Sequence, residues 1–197
     1  MSRRDDLAQA ATDDVLEHGL LGLSLRPLAA RLGTSDRMLL YHFAGKDDLV
    51  ATVLRLSNDR SVAMIRSLPR SAGVHSAVLD LWAAVRSPQL DRCQRVYVEA
   101  AALGLFGREP YAGVVREANA VWVQAVAEHL VGSGMPPDQA PRAVALLDAA
   151  FMGLQLDLPL DADDPAQHQA VLDLADAVAV IAESGAQHAA GSGETPP

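Results

Sequence analysis

Between Ser24 and Lys46, four cations, Arg26, Arg31, Arg37 and Lys46, stand against a single acid, Asp36. Guanidinium and ammonium groups gathered in this way suit the phosphate oxygens of a nucleic acid. The same stretch has the punctuation of two short helices joined by a tight turn, with a third helix beginning at its end. That is the form of a helix-turn-helix, whose second helix enters the DNA major groove. Arg37, Met38, Tyr41 and His42 face outward on that second helix, while Leu39, Leu40 and Phe43 supply its apolar side. Without the turn chemistry, the arginines would read as ordinary solvated helix surface.

The turn chemistry is local and specific. Ser24 is placed to cap the first of the two helices with its hydroxyl. Pro27 falls in the first turn, where its missing N–H costs nothing. Leu25, Leu28, Ala29 and Leu32 recur at helical spacing and form one apolar face. Gly33 stands where a helix closes in a left-handed residue. Thr34 or Ser35 caps the next helix, and Asp36 suits its positive end. Ala44-Gly45 breaks that helix and Lys46-Asp47-Asp48 opens another. Upstream, a helix from about Arg4 to His18 buries Leu7, Ala8, Ala11, Val15 and Leu16 and ends at Gly19. Downstream, the helix from Lys46 carries Leu49, Val50, Val53 and Leu54 and continues to about Leu68, before Pro69.

Composition narrows the class. The chain has 197 residues, half of them apolar. Ala, Leu and Val dominate, which favours helix over sheet. The net charge of −9 runs against DNA binding until the chain is divided. Residues 1–70 hold 10 basic and 9 acidic side chains, +1, while residues 71–197 hold 6 and 16, −10. The acidic surplus therefore lies outside the helix-turn-helix. No uncharged apolar run is long enough to span a membrane, and MSRRDDL lacks the apolar core of a signal peptide. One cysteine, Cys93, excludes an intramolecular disulfide and a cysteine-rich zinc site. The expectation is a cytoplasmic protein without a membrane span.

The run Ser24 to Gly33, with Gly19 before it and Ser35, Leu39, His42-Phe43 and Lys46-Asp47-Asp48-Leu49 after it, resembles the tetracycline-repressor (TetR) family of bacterial regulators. The resemblance is strong over about the first 55 residues and rests on length and helical character beyond them. It implies an all-α protein of about nine helices. A three-helix head, residues 1–55, would be joined by the helix running to about 68 to a helical regulatory and dimerisation bundle, residues 70–185. It implies a recognition helix over residues 35–43, with Ser35, Asp36, Arg37, Met38 and Tyr41 at or near base edges. Arg26 would reach the groove from the preceding helix, and His42 and Lys46 would hold phosphates. One position departs from the family. A tyrosine that commonly touches phosphate is Leu40 here, and Tyr41 occupies the neighbouring position. The resemblance also implies a homodimer on a palindromic operator and a small-molecule effector.

Beyond Pro69 the chain reads as further amphipathic helices, Val74 to Arg86, Gln89 to Phe106, Pro110 to Val131, Asp138 to Leu158 and Pro165 to Ser184. A tail over residues 186–197 reads as disordered. The last two helices carry apolar stripes, Leu147, Ala150, Phe151, Leu154 and Leu158 on one, and Val171, Leu174, Ala175, Val178, Ile181 and Ala182 on the other. They fit a dimer interface; packing inside the subunit is the alternative. Trp82, Tyr97, Phe106, Trp122 and Phe151 could wall a ligand site, with Glu99 and Gln155 as polar handles and Asp148 as another. Alternatively each is a core or surface residue, and Glu99 pairs with Arg95 one turn away.

No catalytic or metal-binding constellation emerges: the six histidines are scattered, and Gly132-Ser133-Gly134 is followed by Met-Pro-Pro. Cys93 reads as a small buried residue, with a redox sensor as the alternative. The expectation is therefore a regulator without enzymatic activity or cofactor, a repressor released by a small, largely apolar molecule. The alternatives are a ligand-independent DNA-binding regulator and a helical enzyme that retains a helix-turn-helix.

Overall fold

The computed structural model describes residues 2–157 and 164–191, and among these the secondary structure is nine α-helices with no strand. They are α1 (Arg3–His18), α2 (Leu25–Arg31), α3 (Asp36–His42), α4 (Lys46–Ser67), α5 (Val74–Val85), α6 (Pro88–Leu105), α7 (Tyr111–Gly132), α8 (Ala140–Asp157) and α9 (Pro165–Gly191). Most ends lie within two residues of those read from sequence. The exception is α9, which runs past Gly185 to Gly191. The alanines of this stretch are strong helix formers and outweigh one interior glycine. Leu158 and residues 192–197 lie outside the described residues.

The described residues pack as two compact units, residues 2–63 with 86–122, and residues 64–85 with 123–157 and 164–191. In the first, α1 opens on a capping box: Ser2 Oγ accepts from the Asp5 amide at 3.2 Å, and Asp5 Oδ2 accepts from the Ser2 amide at 2.9 Å. Leu7, Ala11, Val15, Leu28, Leu39, Phe43 and Val50 converge on one core. Val96 and Ala100 of α6 and Tyr111 and Val114 of α7 complete it. The three-helix head therefore does not close its own core; helices from later in the chain cover it.

In the second unit α9 packs along α5 and beside α8. This changes the reading of the apolar stripes. Val171, Leu174, Val178 and Ile181 of α9 are buried within one chain, as are Leu147 and Phe151 of α8, while Ala150 and Leu154 are half-buried. Their partner is the chain's own interior, including Ala77, Val78 and Leu81 of α5. The faces left outward are different ones. On α8 they carry Ala145, Leu146, Ala149, Gly153 and Leu156, and on α9 Ala166, Ala170, Ala177 and Val180.

Candidate DNA interface

The turn between α2 and α3 forms as its residues dictate, with one exception. Gly33 adopts φ 64°, and the Thr34 and Gly33 amides donate to the carbonyls of Ala29 (2.9 Å) and Ala30 (3.2 Å). This paired closure satisfies the end of α2 and turns the chain sharply. Ser35 Oγ then caps α3 by accepting from the Met38 amide at 3.2 Å. The exception is Ser24, whose hydroxyl makes no cap bond; only its carbonyl enters the helix, accepting from the Leu28 amide at 3.2 Å.

The buried side of α3 is narrower than expected. Leu39 is fully buried and Phe43 nearly so, but Leu40 is 53% exposed. The helix has only seven residues, and Leu39 and Phe43, four apart, fix the inward face. Leu40 is rotated about 100° from Leu39 and falls outside it. The outward face therefore carries Arg37, Met38, Leu40 and Tyr41, with Tyr41 79% exposed. The Tyr41 ring meets the half-buried His42 edge-on, centroids 5.0 Å apart. Arg26, Ser35, Asp36 and Lys46 are likewise exposed, and Asp36 Oδ1 accepts from the Arg37 amide at 2.9 Å.

Two arginines of the basic stretch and its N-terminal flank serve as braces. Arg31 makes a two-pronged pair with Asp14, Nε–Oδ1 2.6 Å and Nη2–Oδ2 2.7 Å, tying α2 to α1. Donating to the Asp14 carboxylate raises the guanidinium pKa above its usual value. Arg31 thus leaves the DNA-facing set. Arg4 reaches the far end of α3: its Nε donates to the His42 carbonyl at 3.2 Å and its guanidinium lies 4.9 Å from the centre of the Phe43 ring. It also stands 3.7 Å from Asp48, whose carboxylate accepts from the Ala44 amide at 3.0 Å. Sequence gave no signal for this brace, since 38 residues separate the partners.

Glu99 of α6 makes a third brace. Its Oε2 accepts from the consecutive amides of Leu20 (2.6 Å) and Leu21 (2.7 Å), in the turn that follows α1. A Cβ on Gly19 would stand 2.6 Å from Glu99 Oε1, and Gly19 also holds φ 81°. Arg95, one turn away from Glu99, pairs instead with Asp91 at 2.9 Å.

The other ligand candidates separate. Trp82 and Phe151 stack in the second unit, centroids 5.1 Å apart and tilted 50°, and Gln155 follows Phe151 one turn along α8. Tyr97, Glu99, Phe106 and Trp122 belong to the first unit. Phe106 is 84% exposed, beyond the last turn of α6 where Gly107 turns the chain, so it walls nothing. Glu99 lines a cleft of about 560 Å³, whose wall mixes the charged Glu17, Asp91, Arg92 and Arg95 with the apolar Leu16, Pro88 and Val96. Cys93 is buried. Among the described residues no three His, Cys, Asp or Glu side chains gather as a metal site, and no helix is long and apolar enough to cross a membrane.

Known proteins resemble the chain over both the head and the whole length. Residues 8–53 match the family described as bacterial regulatory proteins, tetR family. A transcriptional regulator from Rhodococcus sp. Rha1 is 25% identical with TM-score 0.69, over 93% of this chain and 97% of that one. The multidrug binding protein EbrR, solved with ethidium, is 26% identical with TM-score 0.62, over 88% and 96%. A TetR-family regulator from Rhodococcus sp., 20% identical with TM-score 0.65 over 91% and 98%, shares the fold. No curated protein matches the chain. The turn geometry, the outward face of α3 and these likenesses agree: the protein is a DNA-binding transcriptional regulator whose residues 8–53 match the tetR family.

Proposed function

We propose that the protein is a cytoplasmic, homodimeric repressor that binds a palindromic operator through residues 1–55 and is released by a small molecule held by residues 70–185. The observation that carries this reading is the outward face of α3. Arg37, Met38 and Tyr41 stand free to reach base edges, while Ser35 caps one end and Arg4 braces the other. Arg26, Asp36, His42 and Lys46 flank that face and complete the contact set.

Dimerisation is supported by the outward faces of α8 and α9. Ala145, Ala149 and Gly153 on one, and Ala170 and Ala177 on the other, are small enough for close helix approach. Leu146, Leu156 and Val180 supply apolar area beside them, Val180 at 58% exposure. A second copy would bury this surface, and two-fold symmetry would match a palindrome.

The effector site is supported by the Trp82–Phe151 pair. At 100° per residue, Asp148, Met152 and Gln155 share the flank of α8 next to Phe151, and all three are half-buried. Burial alone raises the Asp148 carboxyl above the usual carboxylate range. Aromatic faces with one poorly solvated carboxylate suit a largely apolar molecule that carries a positive charge. EbrR, similar in sequence and fold, was solved with such a cation.

The test uses duplexes selected from a random pool, with tetraphenylphosphonium and neutral triphenylphosphine oxide as probes. The cation should raise the melting temperature and release the duplex, and the neutral compound should do neither. A chain that sediments as a monomer at micromolar concentration, or selects no duplex, would overturn the reading.

A further inference from the structure

We infer that Leu40 reads thymine, packing on the C5 methyl of one base in each operator half-site. The inference rests on the assignment of α3 to the major groove. Leu40 is 53% exposed on a helix whose inward face is already filled by Leu39 and Phe43. It stands next to Tyr41 and one turn after Arg37, so it extends the same outward face rather than forming another. Its side chain has no donor or acceptor and cannot hold a phosphate. The base edges of the major groove offer donors, acceptors and one apolar group, the thymine methyl. A branched aliphatic side chain on the reading face therefore has one favourable partner there. Arg37, three residues earlier, is suited to a guanine, so the half-site should hold a thymine at a fixed offset from that guanine.

Thymine differs from uracil by this methyl alone, which gives a direct test. Duplexes are selected from a random pool with the full-length protein, and each thymine of the consensus is replaced by uracil, one position at a time in both half-sites. With wild-type protein, one position should weaken binding about fourfold per half-site, the value of one buried methyl-sized group. Leu40→Ala should bind the thymine and uracil duplexes alike, with about the affinity of wild type for the uracil form. Leu40→Met should keep part of the discrimination. The proposal is overturned if no thymine is sensitive to uracil. It is equally overturned if the penalty persists undiminished in Leu40→Ala, since the methyl would then be sensed by another residue or through DNA shape. Loss of all binding by both variants, with melting temperatures unchanged, would also refute it. Failure of wild type to select any duplex would refute the DNA-binding role of α3 itself, a separate result.

Discussion

In the proposed contact set, base reading and phosphate holding fall to different side chains, so their removal should fail in different ways. Arg37→Ala should cost ~1–3 kcal/mol on the best sequence and relax preference at one base pair. Lys46→Ala should weaken all sequences alike and flatten the salt dependence of log K by about one unit per subunit. Gel shifts on matched and mutated duplexes across a salt series separate the two; identical profiles would refute the division. Several of these residues were legible in the sequence because capping and turn residues act locally. Ser35 and Gly33 do what their types require wherever a helix starts or stops. The exposure of Leu40 is not legible in the sequence, because apolar type alone does not say which side of a seven-residue helix it takes. The bracing role of Arg31 is not legible either, because its partner, Asp14, lies 17 residues away.

Between elements, carboxylates and small residues set the fit. Glu99 accepts two backbone amides that face no other described acceptor. Glu99→Gln keeps an acceptor but loses the charge, and should cost ~1–3 kcal/mol, read as a lower melting temperature. Gly19→Ala should cost more, since it adds left-handed strain and drives a methyl into the carboxylate. If both variants melt like wild type, the brace contributes nothing. A second contrast concerns α9. Leu174→Glu places a charge in the subunit's own core and should unfold it, whereas Val180→Glu should leave the subunit folded and give monomers on sedimentation. Equal behaviour of the two would refute the assignment of the outer face. Periodicity identified the buried stripe of α9 correctly, but it cannot say what buries it. The covering helix, α5, comes about a hundred residues earlier.

For the molecule as a whole, function is an energy difference between states. An effector releases DNA only through unequal affinity for the DNA-bound and free forms, typically ~1–3 kcal/mol of coupling. Operator DNA must then weaken effector binding by the same factor, which titration with and without duplex measures; equal affinities would refute release by that molecule. Acidity adds a second axis. Burial lowers the pKa of His129 below its ordinary 6.5, although Asp80 nearby pulls it upward. The unfolded chain therefore takes up a proton first, and stability falls as pH drops below 6.5 toward the lowered value. Melting temperatures across pH 7.5 to 5 should show this fall, and His129→Gln should lose part of it. The helical class and the head were visible in the sequence because both depend on short-range pattern. The sharing of the head's core with α6 and α7 was not, because Val96, Ala100 and Val114 carry no mark of the surface they meet.

The approach of Glu99 to Gly19 also bears on descent. Two positions 80 residues apart exclude each other's alternatives. Any lineage that acquires a side chain at position 19 must first lose or redirect the carboxylate at position 99. A lineage that loses the carboxylate frees position 19 from the contact, leaving only its backbone preference for glycine. Among relatives, a side chain at position 19 should therefore occur only where position 99 has lost its acid or turned it away from this turn.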